Sequence, residues 1–545
     1  MRRMEKTPLI GSARIDINTH VCSVGETDVT SAFDTILPSN ASTLYAIPVP
    51  ANGTFGEGPS NVAYPRNATN LPALCAVSVN VTSSATSSFT FGLFLPNDWN
   101  GRFLAVGNGG FLGGINWLEL GSSVRYGFAV MSTNTGHNST NSNSTWALNN
   151  PEAEIDWSYR AMHGSILIAK DIVSAFYSNA IEYSYYSGCS TGGYQGLNEV
   201  QDYPEDFDGV LVGAPAWWHS HLQTWSIKVG IYNLPNTSAH HIPSALFPVI
   251  GAEVIRQCDE TDGVADGIIS EPRACSFYPE ALLCTPSTTN RSACLTSPQI
   301  DTLNKIYADY VETNQTFIFP GLELGSESQW NLVAQSVPDA FSIGYVQNLV
   351  YDDPTWQWWN FSLQTIQDAE RINGPIADAD KFDISPFQAR GGKLLQYHGY
   401  ADGFIQPGSS KYYYDHVVRT LAPMGIDVTD FFRFFLVPGM RHCSGTVVGA
   451  PWYIAGSGQA NSLYSSSPVR SVPGYEDADH DALLALMRWV EDGTAPEEII
   501  ATYYENNTVS EGVVRQRPLC PYPGRAVYCG EGSVDEPGSW RCEAV

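Results

Sequence analysis

The sequence predicts an α/β fold in which a mostly parallel β-sheet is covered by helices and interrupted by a long insertion. Strand-like and helix-like segments alternate along residues 89–213, as they do in the β-α-β units that build parallel sheets. Strand signals then stop near residue 216 and return at residue 393. An interruption of roughly 170 residues is long enough to form a domain of its own. We therefore predict a sheet-containing domain at 1–215 and 391–545 and an inserted domain at 216–390.

The strand predictions depend on short apolar runs that are bounded by turn residues. In chain order these runs are Phe89–Leu95, Phe103–Val106, Tyr126–Met131, Glu182–Tyr186, Gly209–Gly213, Lys393–Tyr397 and Phe431–Val437. Between the third and fourth runs, Ile166, Ile168, Ile172 and Val173 recur at helical spacing. This spacing predicts a helix at about Trp157–Phe176.

The composition excludes several classes of protein. Hydrophobic residues make up 43% of the 545 residues and charged residues only 15%, which argues against a disordered or coiled-coil chain. The net charge of -28 repels phosphate backbones and anionic lipids, so we expect no binding to nucleic acid or to membrane surfaces. No run approaches the ~20 apolar residues of a membrane span. The composition therefore favours a soluble, acidic enzyme.

Two patterns predict a secreted glycoprotein. The eleven cysteines include no C-x-x-C, and three close pairs (258/275, 284/294 and 520/542) favour structural disulfides over zinc or redox sites. N-glycosylation sequons begin at Asn40, Asn52, Asn67, Asn80, Asn138, Asn143, Asn236, Asn290, Asn314, Asn360 and Asn506. No signal peptide is visible, because no apolar stretch follows the basic residues of Met1–Ile10. We interpret this N-terminus as truncated or wrongly assigned.

A G-x-S-x-G motif at Gly188–Gly192 supplies a candidate nucleophile, Ser190. Glycines on both sides of a serine allow a tight turn from a strand into a helix, which lifts the hydroxyl into a site. The motif also arises by chance, and an ordinary serine in a glycine-rich turn is the alternative. The predicted strand before Ser190 and the predicted helix after it favour the nucleophile.

A serine nucleophile needs a base and an orienting carboxylate, here in the chain order Ser, acid, His. Downstream of Ser190 and outside the insertion, histidines occur only at positions 398, 442 and 480. His442 follows an apolar strand and a Pro-Gly-Met turn, and Asp402 lies just beyond another strand. Taken singly, each of these two residues could be an ordinary loop residue.

Two cysteines adjoin the proposed nucleophile and base. Cys189 directly precedes Ser190, and Cys443 directly follows His442. A disulfide between them would hold their Cα atoms about 5.5–6 Å apart and bring the neighbouring Ser and His within reach of each other. This coincidence strongly favours Ser190 and His442 as partners.

These motifs resemble the tannase and feruloyl esterase family of fungal secreted hydrolases, in which a disulfide beside the triad ties the serine to the histidine. The similarity extends from about Cys22 to Cys542 and includes Gly188–Gly193, Gly213–Trp218, Tyr397–Asp402, Val437–Cys443 and Leu519–Pro523. It implies an α/β-hydrolase domain with an inserted lid. It also implies hydrolysis of phenolic-acid esters (feruloyl, caffeoyl or coumaroyl) through an acyl-enzyme, with Ser190, Asp402 and His442 as the triad.

The oxyanion of such a reaction needs two backbone N–H donors. Thr191, the residue after the nucleophile, is the first candidate. We choose Gly110 as the second, from the glycine-rich loop Gly107–Gly110 that follows a predicted strand. A plain glycine turn is the alternative for this loop. No redox or organic cofactor is implied.

An acidic loop in the insertion is a candidate calcium site with a structural role. Three aspartates within eight residues repel one another unless a cation neutralises them, and Gly263 and Gly267 permit the tight turns that such a site needs. Oxygen ligands without His or thiolate favour calcium over zinc. A solvated acidic loop is the alternative. The family resemblance implies as ligands the side chains of Asp259, Asp262 and Asp266 and the carbonyls of Val264 and Ile268.

The predicted disulfides are Cys189–Cys443, Cys258–Cys275, Cys284–Cys294, Cys22–Cys75 and Cys520–Cys542, which leaves Cys529 unpaired. Tryptophans are also concentrated where a lid would cover the site, at Trp217, Trp218, Trp225, Trp356, Trp358 and Trp359. Phenolic rings could stack on them, although for any one tryptophan a place in the core of the lid is the favoured interpretation.

Two other functions stay open at this point. A tannase that cleaves galloyl esters would use the same fold and triad. A catalytically inactive, calcium-stabilised binding protein is the alternative of another class, and the presence of all three triad residues argues against it. The expected partner is a small-molecule or plant cell-wall phenolic ester, and the expected assembly is a monomer or homodimer.

Overall fold

The computed structural model describes residues 22, 30–286, 290–334 and 338–544. The strands in these ranges are β1 Ala41–Val49, β2 Gly53–Phe55, β3 Ala68–Leu71, β4 Leu74–Thr82, β5 Ser88–Pro96, β6 Arg102–Val106, β7 Ala129–Thr133, β8 Tyr183–Cys189, β9 Gly209–Gly213, β10 Tyr310–Val311, β11 Phe317–Phe319, β12 Lys393–Gly399, β13 Phe432–Val437, β14 Ile499–Tyr504, β15 Val513–Leu519, β16 Arg525–Tyr528 and β17 Trp540–Glu543.

Nine of these strands form one mixed sheet in the order β1-β4-β5-β7-β6-β8-β9-β12-β13. The strands from β7 to β13 in this order are mutually parallel, whereas β1, β4, β5 and β7 pair in antiparallel fashion. All five residues of β9 are buried, as expected for a central parallel strand covered on both faces. The predicted parallel core is therefore present, with an antiparallel edge added to it.

Helices cover both faces of this sheet and also build most of the insertion. In chain order they are α1 Thr30–Asp34, α2 Trp117–Ser123, α3 Pro151–Ile155, α4 Ala161–Phe176, α5 Thr191–Asp202, α6 His219–Tyr232, α7 Phe247–Cys258, α8 Ser297–Tyr307, α9 Ala340–Tyr345, α10 Leu363–Ile372, α11 Gly374–Ala377, α12 Ser385–Ala389, α13 Pro407–Leu421 and α14 Ala482–Asp492. Apolar residues of α4, α5 and α13 form a core on one face, and those of α2 and α14 form a second core on the other. No helix among the described residues is long and apolar enough to cross a bilayer.

The insertion separates two neighbouring strands. Strand β9 ends at Gly213 and pairs in parallel with β12, which begins at Lys393. The chain between them forms α6 to α12 and the short hairpin β10–β11. Buried side chains of this segment, such as Trp217 and Trp330, join the same hydrophobic cluster as α5 and α13. The insertion is thus firmly seated on the sheet domain, and its division from that domain at residues 216 and 390 stays a prediction.

The structure extends or shifts some predicted elements. Strands β1 and β4 were not predicted and add the antiparallel edge. Tyr126 was predicted as the start of a strand but lies in a 3₁₀ turn, because Gly127, with φ of 89°, ends that turn before β7 begins. The predicted helix at Trp157–Phe176 consists of a π-helical turn at Asp156–Arg160 followed by α4.

Candidate active site

Ser190 lies on a sharp turn between β8 and α5. Its φ of 65° is in the left-handed region that residues other than glycine rarely adopt. The turn is held by a hydrogen bond from the Ser190 N–H to the carbonyl oxygen of Gly213 (3.0 Å) and by N–H groups of Tyr194 and Ala216 that donate to the Ser190 carbonyl. A strained turn fixed from both sides positions the serine side chain, as strand-to-helix nucleophile turns require.

The two glycines of the motif are required by close packing. A Cβ atom added to Gly188 would lie 2.4 Å from the carbonyl oxygen of Gly192. A Cβ atom added to Gly192 would lie 2.8 Å from the carbonyl oxygen of Asn108, in the glycine-rich loop after β6. The motif therefore brings that loop against the start of α5.

His442 and Asp402 form a buried hydrogen-bonded pair. His442 Nδ1 lies 2.7 Å from Asp402 Oδ2, and the Asp402 side chain is fully buried. Because a carboxylate only accepts hydrogen bonds, Nδ1 carries the proton, which leaves Nε2 as an acceptor. Nε2 lies 3.7 Å from the sulfur of Cys443, on the side of the disulfide to Cys189.

Three further groups donate hydrogen bonds to the Asp402 carboxylate. Its Oδ1 accepts from the N–H groups of Phe404 and Ile405 at 2.9 Å each, and Oδ2 also faces Nε2 of His398 at 3.1 Å. Burial alone would raise the pKa of Asp402, but the His442 imidazole and the hydrogen bonds from both histidines hold it well below its ordinary value. Asp402 is thus kept ionised. His398, one of the three downstream histidines outside the insertion, thus contacts the same Asp402 carboxylate as His442.

The disulfide Cys189–Cys443 joins the turn of Ser190 to the loop of His442, with Cα atoms 6.1 Å apart. The separation matches the distance used to infer that Ser190 and His442 are partners. The other disulfides join Cys22 to Cys75, Cys258 to Cys275, Cys284 to Cys294 and Cys520 to Cys542. Cys529 is exposed and outside these bonds.

The candidate oxyanion donors lie on two adjoining segments. Thr191 is the buried first residue of α5, where backbone N–H groups have no partner within the helix. The loop containing Gly110 is anchored to α5, because the Asn108 N–H donates to Oε1 of Gln195 at 3.0 Å. Gly110 has φ of +49°, and a Cβ atom there would lie 2.7 Å from the ring of Phe341.

The insertion also contributes a residue to the candidate site that the sequence analysis missed. Oε1 of Gln329 accepts from the backbone N–H groups of His442 and Gly403, both at 3.1 Å. A Cβ atom on Gly403 would lie 2.8 Å from Cβ of Gln329, so this contact needs glycine beside Asp402. No local pattern around Gln329 marks it, and only the glycine at 403 could have pointed to a close contact.

The aromatic ring that packs on His442 is a phenylalanine, and a second phenylalanine packs behind it. The Phe404 ring meets the His442 ring edge-to-face with centroids 5.3 Å apart, and Phe341 of α9 packs on Phe404 at 5.4 Å. Trp217 and Trp225 are buried in the core, and Trp359 is exposed. Trp217 and Trp218 stack on each other and on Tyr412 of α13.

The acidic loop at 259–268 has the predicted turns, with positive φ at Gly263 and Gly267. Part of its negative charge is compensated within the protein, since Asp266 forms ion pairs with Arg515 and Arg517. Burial and the neighbouring Asp266 raise the pKa of Asp262. The sequence argument that only a cation neutralises these aspartates was therefore incomplete.

Another cluster satisfies the distance requirement for a metal ion. Ligand atoms of His163, Glu199 and Asp206 lie within 4.8 Å of one another, which is the sole grouping of this kind within the described ranges. The three aspartates of the acidic loop do not converge to this degree.

Relatives with similar sequences are feruloyl esterases by name. The chain is 35% identical over 474 residues to "Probable feruloyl esterase B-2" of Neosartorya fischeri, covering 86% of each chain. It is 35% identical over 499 residues to "Probable feruloyl esterase B-1" of Aspergillus flavus, covering 90% of this chain and 91% of the relative.

Solved structures show the same fold. Feruloyl esterase B from Aspergillus oryzae matches with a TM-score of 0.85 and 32% identity, over 94% of this chain and 99% of that one. Tannin acyl hydrolase from Aspergillus niger matches with a TM-score of 0.74 over 96% and 95% of the chains, and at 20% identity this shows the fold alone. The family model described as tannase and feruloyl esterase matches residues 75–543. The chain belongs to the tannase and feruloyl esterase family.

Proposed function

We propose that this protein is a serine esterase that hydrolyses phenolic-acid esters through an acyl-enzyme on Ser190. The observation that carries the proposal is the buried Asp402–His442 pair, joined by the Cys189–Cys443 disulfide to the strained turn of Ser190. The feruloyl esterase relatives support the phenolic-acid ester as substrate.

In the first half of the reaction, Oγ of Ser190 attacks the ester carbonyl carbon while Nε2 of His442 takes the hydroxyl proton. Asp402 accepts the Nδ1–H bond and stabilises the imidazolium. The alcohol then leaves with the proton from Nε2. In the second half, water attacks the acyl-enzyme, gives a proton to Nε2, and releases the acid as Oγ regains its proton.

The tetrahedral oxyanion would be held by the backbone N–H groups of Thr191 and Gly110. The close packing of the glycine-rich loop against the start of α5 supports this pairing, because it places both segments beside Ser190. Such donors are fixed before the reaction and gain strength as charge develops on the oxygen.

We place the aromatic acyl group against Phe341 and Phe404. Phe341 contacts both the Gly110 segment and Phe404, and Phe404 contacts His442, so a planar ring bound there lies next to the reacting carbon. These apolar rings favour feruloyl-type esters over galloyl esters, whose three ring hydroxyls need polar partners. Galloyl esters are the second candidate substrate, within the same family.

A structural calcium ion in the acidic loop belongs to the same proposal. The carbonyl oxygens of Val264 and Ile268 accept no hydrogen bond within the described chain, and Asp259, Asp262 and Asp266 supply carboxylate oxygens nearby. This set of hard oxygen donors fits calcium. The ion would stabilise the insertion and take no part in the reaction.

We also propose that the protein is secreted and glycosylated. Five disulfides are typical of oxidising compartments. Ten of the eleven sequon asparagines are exposed, with Asn80 partly buried, so the acceptor sites are accessible to glycosylation.

The test is turnover of methyl ferulate, methyl caffeate and methyl gallate, measured side by side on the wild type, Ser190→Ala and a control, Ser466→Ala, which alters an exposed serine. We expect the ferulate or caffeate ester to be preferred, and Ser190→Ala to lose activity by about 10⁴-fold or more while folding normally. A preference for gallate would favour the tannase alternative. If Ser190→Ala keeps activity within about tenfold of the wild type, Ser190 is not the nucleophile. If the wild type binds these esters without turning them over, the protein is a binding protein.

A further inference from the structure

A cluster outside the active site brings together one imidazole and two carboxylates from three segments. His163 lies in the first turn of α4, Glu199 in the last turn of α5 and Asp206 in the loop before β9. Nδ1 of His163 is 3.0 Å from Oδ2 of Asp206 and 3.5 Å from Oε2 of Glu199. All three atoms lie within 4.8 Å of one another.

These three atoms are buried, and they form ion pairs with one another. Within the described chain, His163 Nδ1, Glu199 Oε2 and Asp206 Oδ2 make no hydrogen bond of acceptable geometry, although they lie within ion-pair distance. The Glu199 side chain is only 1% exposed. Two buried carboxylates that share one imidazole nitrogen keep lone pairs that a bound cation would engage.

The geometry fits a metal ion of the zinc type. Metal–ligand bonds of about 2.0–2.2 Å in tetrahedral or octahedral sites place neighbouring ligand atoms about 3–3.5 Å apart. The two distances from His163 Nδ1 lie in this range. One imidazole nitrogen with two carboxylate oxygens suits zinc or manganese better than calcium, which takes only oxygen ligands.

The surroundings hold the ligands and leave access for an ion. The ring of Tyr203 stacks on the His163 ring with centroids 3.5 Å apart and fixes its orientation. His163 and Asp206 are 22% and 12% exposed, so the cluster lies close to the surface although its three ligand atoms are buried. Water could reach the ion there and complete its coordination.

Two positive charges compete with a metal at this position. Lys170 donates to the backbone carbonyl of Asp206 and faces both carboxylates. Burial lowers the pKa of His163, but the carboxylates of Asp206 and Glu199 outweigh it and raise that pKa to about 9. A proton on Nδ1 must therefore leave when a metal binds.

We propose that His163, Glu199 and Asp206 form a second metal site, which binds a divalent transition-metal ion and ties α4 to the end of α5. The site is distinct from the acidic loop of the insertion in both its position and its ligand chemistry. Ser190 precedes α5, and Glu199 lies nine residues further along, about 13–14 Å away at 1.5 Å per residue, so the ion is structural and not part of the ester reaction.

The test uses the full chain, stripped with EDTA and then supplied with excess calcium to fill the proposed calcium site. Zinc is titrated by calorimetry into the wild type, His163→Asn, Asp206→Asn and the control Asp202→Asn. Asp202 lies in α5, as Glu199 does, but it pairs with Lys381 outside the cluster. We expect one zinc ion per chain in the wild type and the control, and affinity lower by about tenfold or more in the other two variants.

His163→Asn keeps the proposal testable if Asp206→Asn fails to fold, because His163 is partly exposed. Anomalous diffraction at the zinc edge from crystals of the wild type should place the ion beside His163. Absence of zinc binding by the wild type would overturn the proposal and leave the cluster as a protonated histidine paired with two carboxylates. Equal binding by wild type and His163→Asn would also overturn it.

Discussion

The side-chain oxygen of Gln329, in the insertion, accepts a hydrogen bond of 3.1 Å from the backbone N–H of His442, 113 residues away in the chain. The same oxygen accepts from Gly403, next to Asp402. One side chain of the insertion thus holds the two loops that carry the candidate acid and base. The insertion therefore does more than cover the site, because it helps to set the position of the imidazole.

Gln329→Met should lower kcat for ester hydrolysis by about tenfold or more, because it keeps the length of the side chain but leaves two backbone N–H groups without their acceptor. Gln329→Glu retains an oxygen acceptor and should recover most of the activity. Kinetics on methyl ferulate and a melting curve of each variant provide the measurement. Equal loss in both variants, or no loss in Gln329→Met, would contradict a positioning role.

Loss of the disulfide beside the triad should reduce activity more than it reduces the folded fraction. Cys189 and Cys443 are 254 residues apart, and the loop-closure model assigns such a long loop on the order of 5–6 kcal/mol, although measured values are often smaller. Small displacements of Ser190 from His442 also cost large factors in rate. Cys189→Ala/Cys443→Ala should be compared with Cys284→Ala/Cys294→Ala, which removes a bond in the insertion. A fully active first variant would contradict the prediction.

Removal of calcium should lower the melting temperature more than it alters the intrinsic ester chemistry. A ligand at about 100 times its Kd stabilises the native state by about 2.7 kcal/mol. Asp262→Ala should reproduce the effect of the chelator EGTA, whereas Glu260→Ala, at an exposed position of the same loop, should not. The measurements are melting curves with and without calcium and elemental analysis of dialysed protein. Dialysed protein without calcium, or unchanged melting with EGTA, would refute the site.

Stability should depend on pH through Asp402. In the folded protein the pKa of Asp402 lies below the value of about 3.9 expected in the unfolded chain. The ionised Asp402 therefore contributes fully to the free energy of unfolding above about pH 4, and this contribution disappears as the pH falls through the folded-state pKa. The difference in unfolding free energy between the wild type and Asp402→Asn should therefore shrink on acidification below about pH 4. Urea unfolding at several pH values measures it, with the exposed Asp301→Asn as control. A constant difference across this range would contradict the prediction.

Phe341→Ala should raise KM for methyl ferulate by about tenfold, since an aromatic pair and the buried area of one ring contribute on the order of 1–2 kcal/mol. The same change should have little effect on a short aliphatic ester such as methyl butyrate, which has no ring to place. Phe361→Ala, another partly buried phenylalanine of the insertion, is the matched control. Equal effects of Phe341→Ala on both esters would place the acyl ring elsewhere.

The sequence alone determined the features that local sterics or chain neighbours encode. Ser190 stands out because a turn this tight admits only glycine at 188 and 192, where the backbone of the next segment approaches within contact distance. The pairing of Ser190 with His442 could be inferred because each of them adjoins a cysteine. A disulfide between the two cysteines joins segments that are far apart in the chain, so a local pattern indicated a distant contact. The parallel strands were predicted because burial on both faces requires continuous apolar runs.

Only the tertiary structure decided which distant side chains meet. Three contacts join segments that are distant in the chain, and no residue spacing within either segment encodes them. They are Gln329 on His442, Phe341 on Phe404 and the cluster around His163. The tryptophans of the insertion illustrate the same point, since Trp217 and Trp225 fill the core while Phe404 packs on His442. Composition reveals that aromatic side chains are present, but packing of the insertion on the sheet selects which of them reach the site.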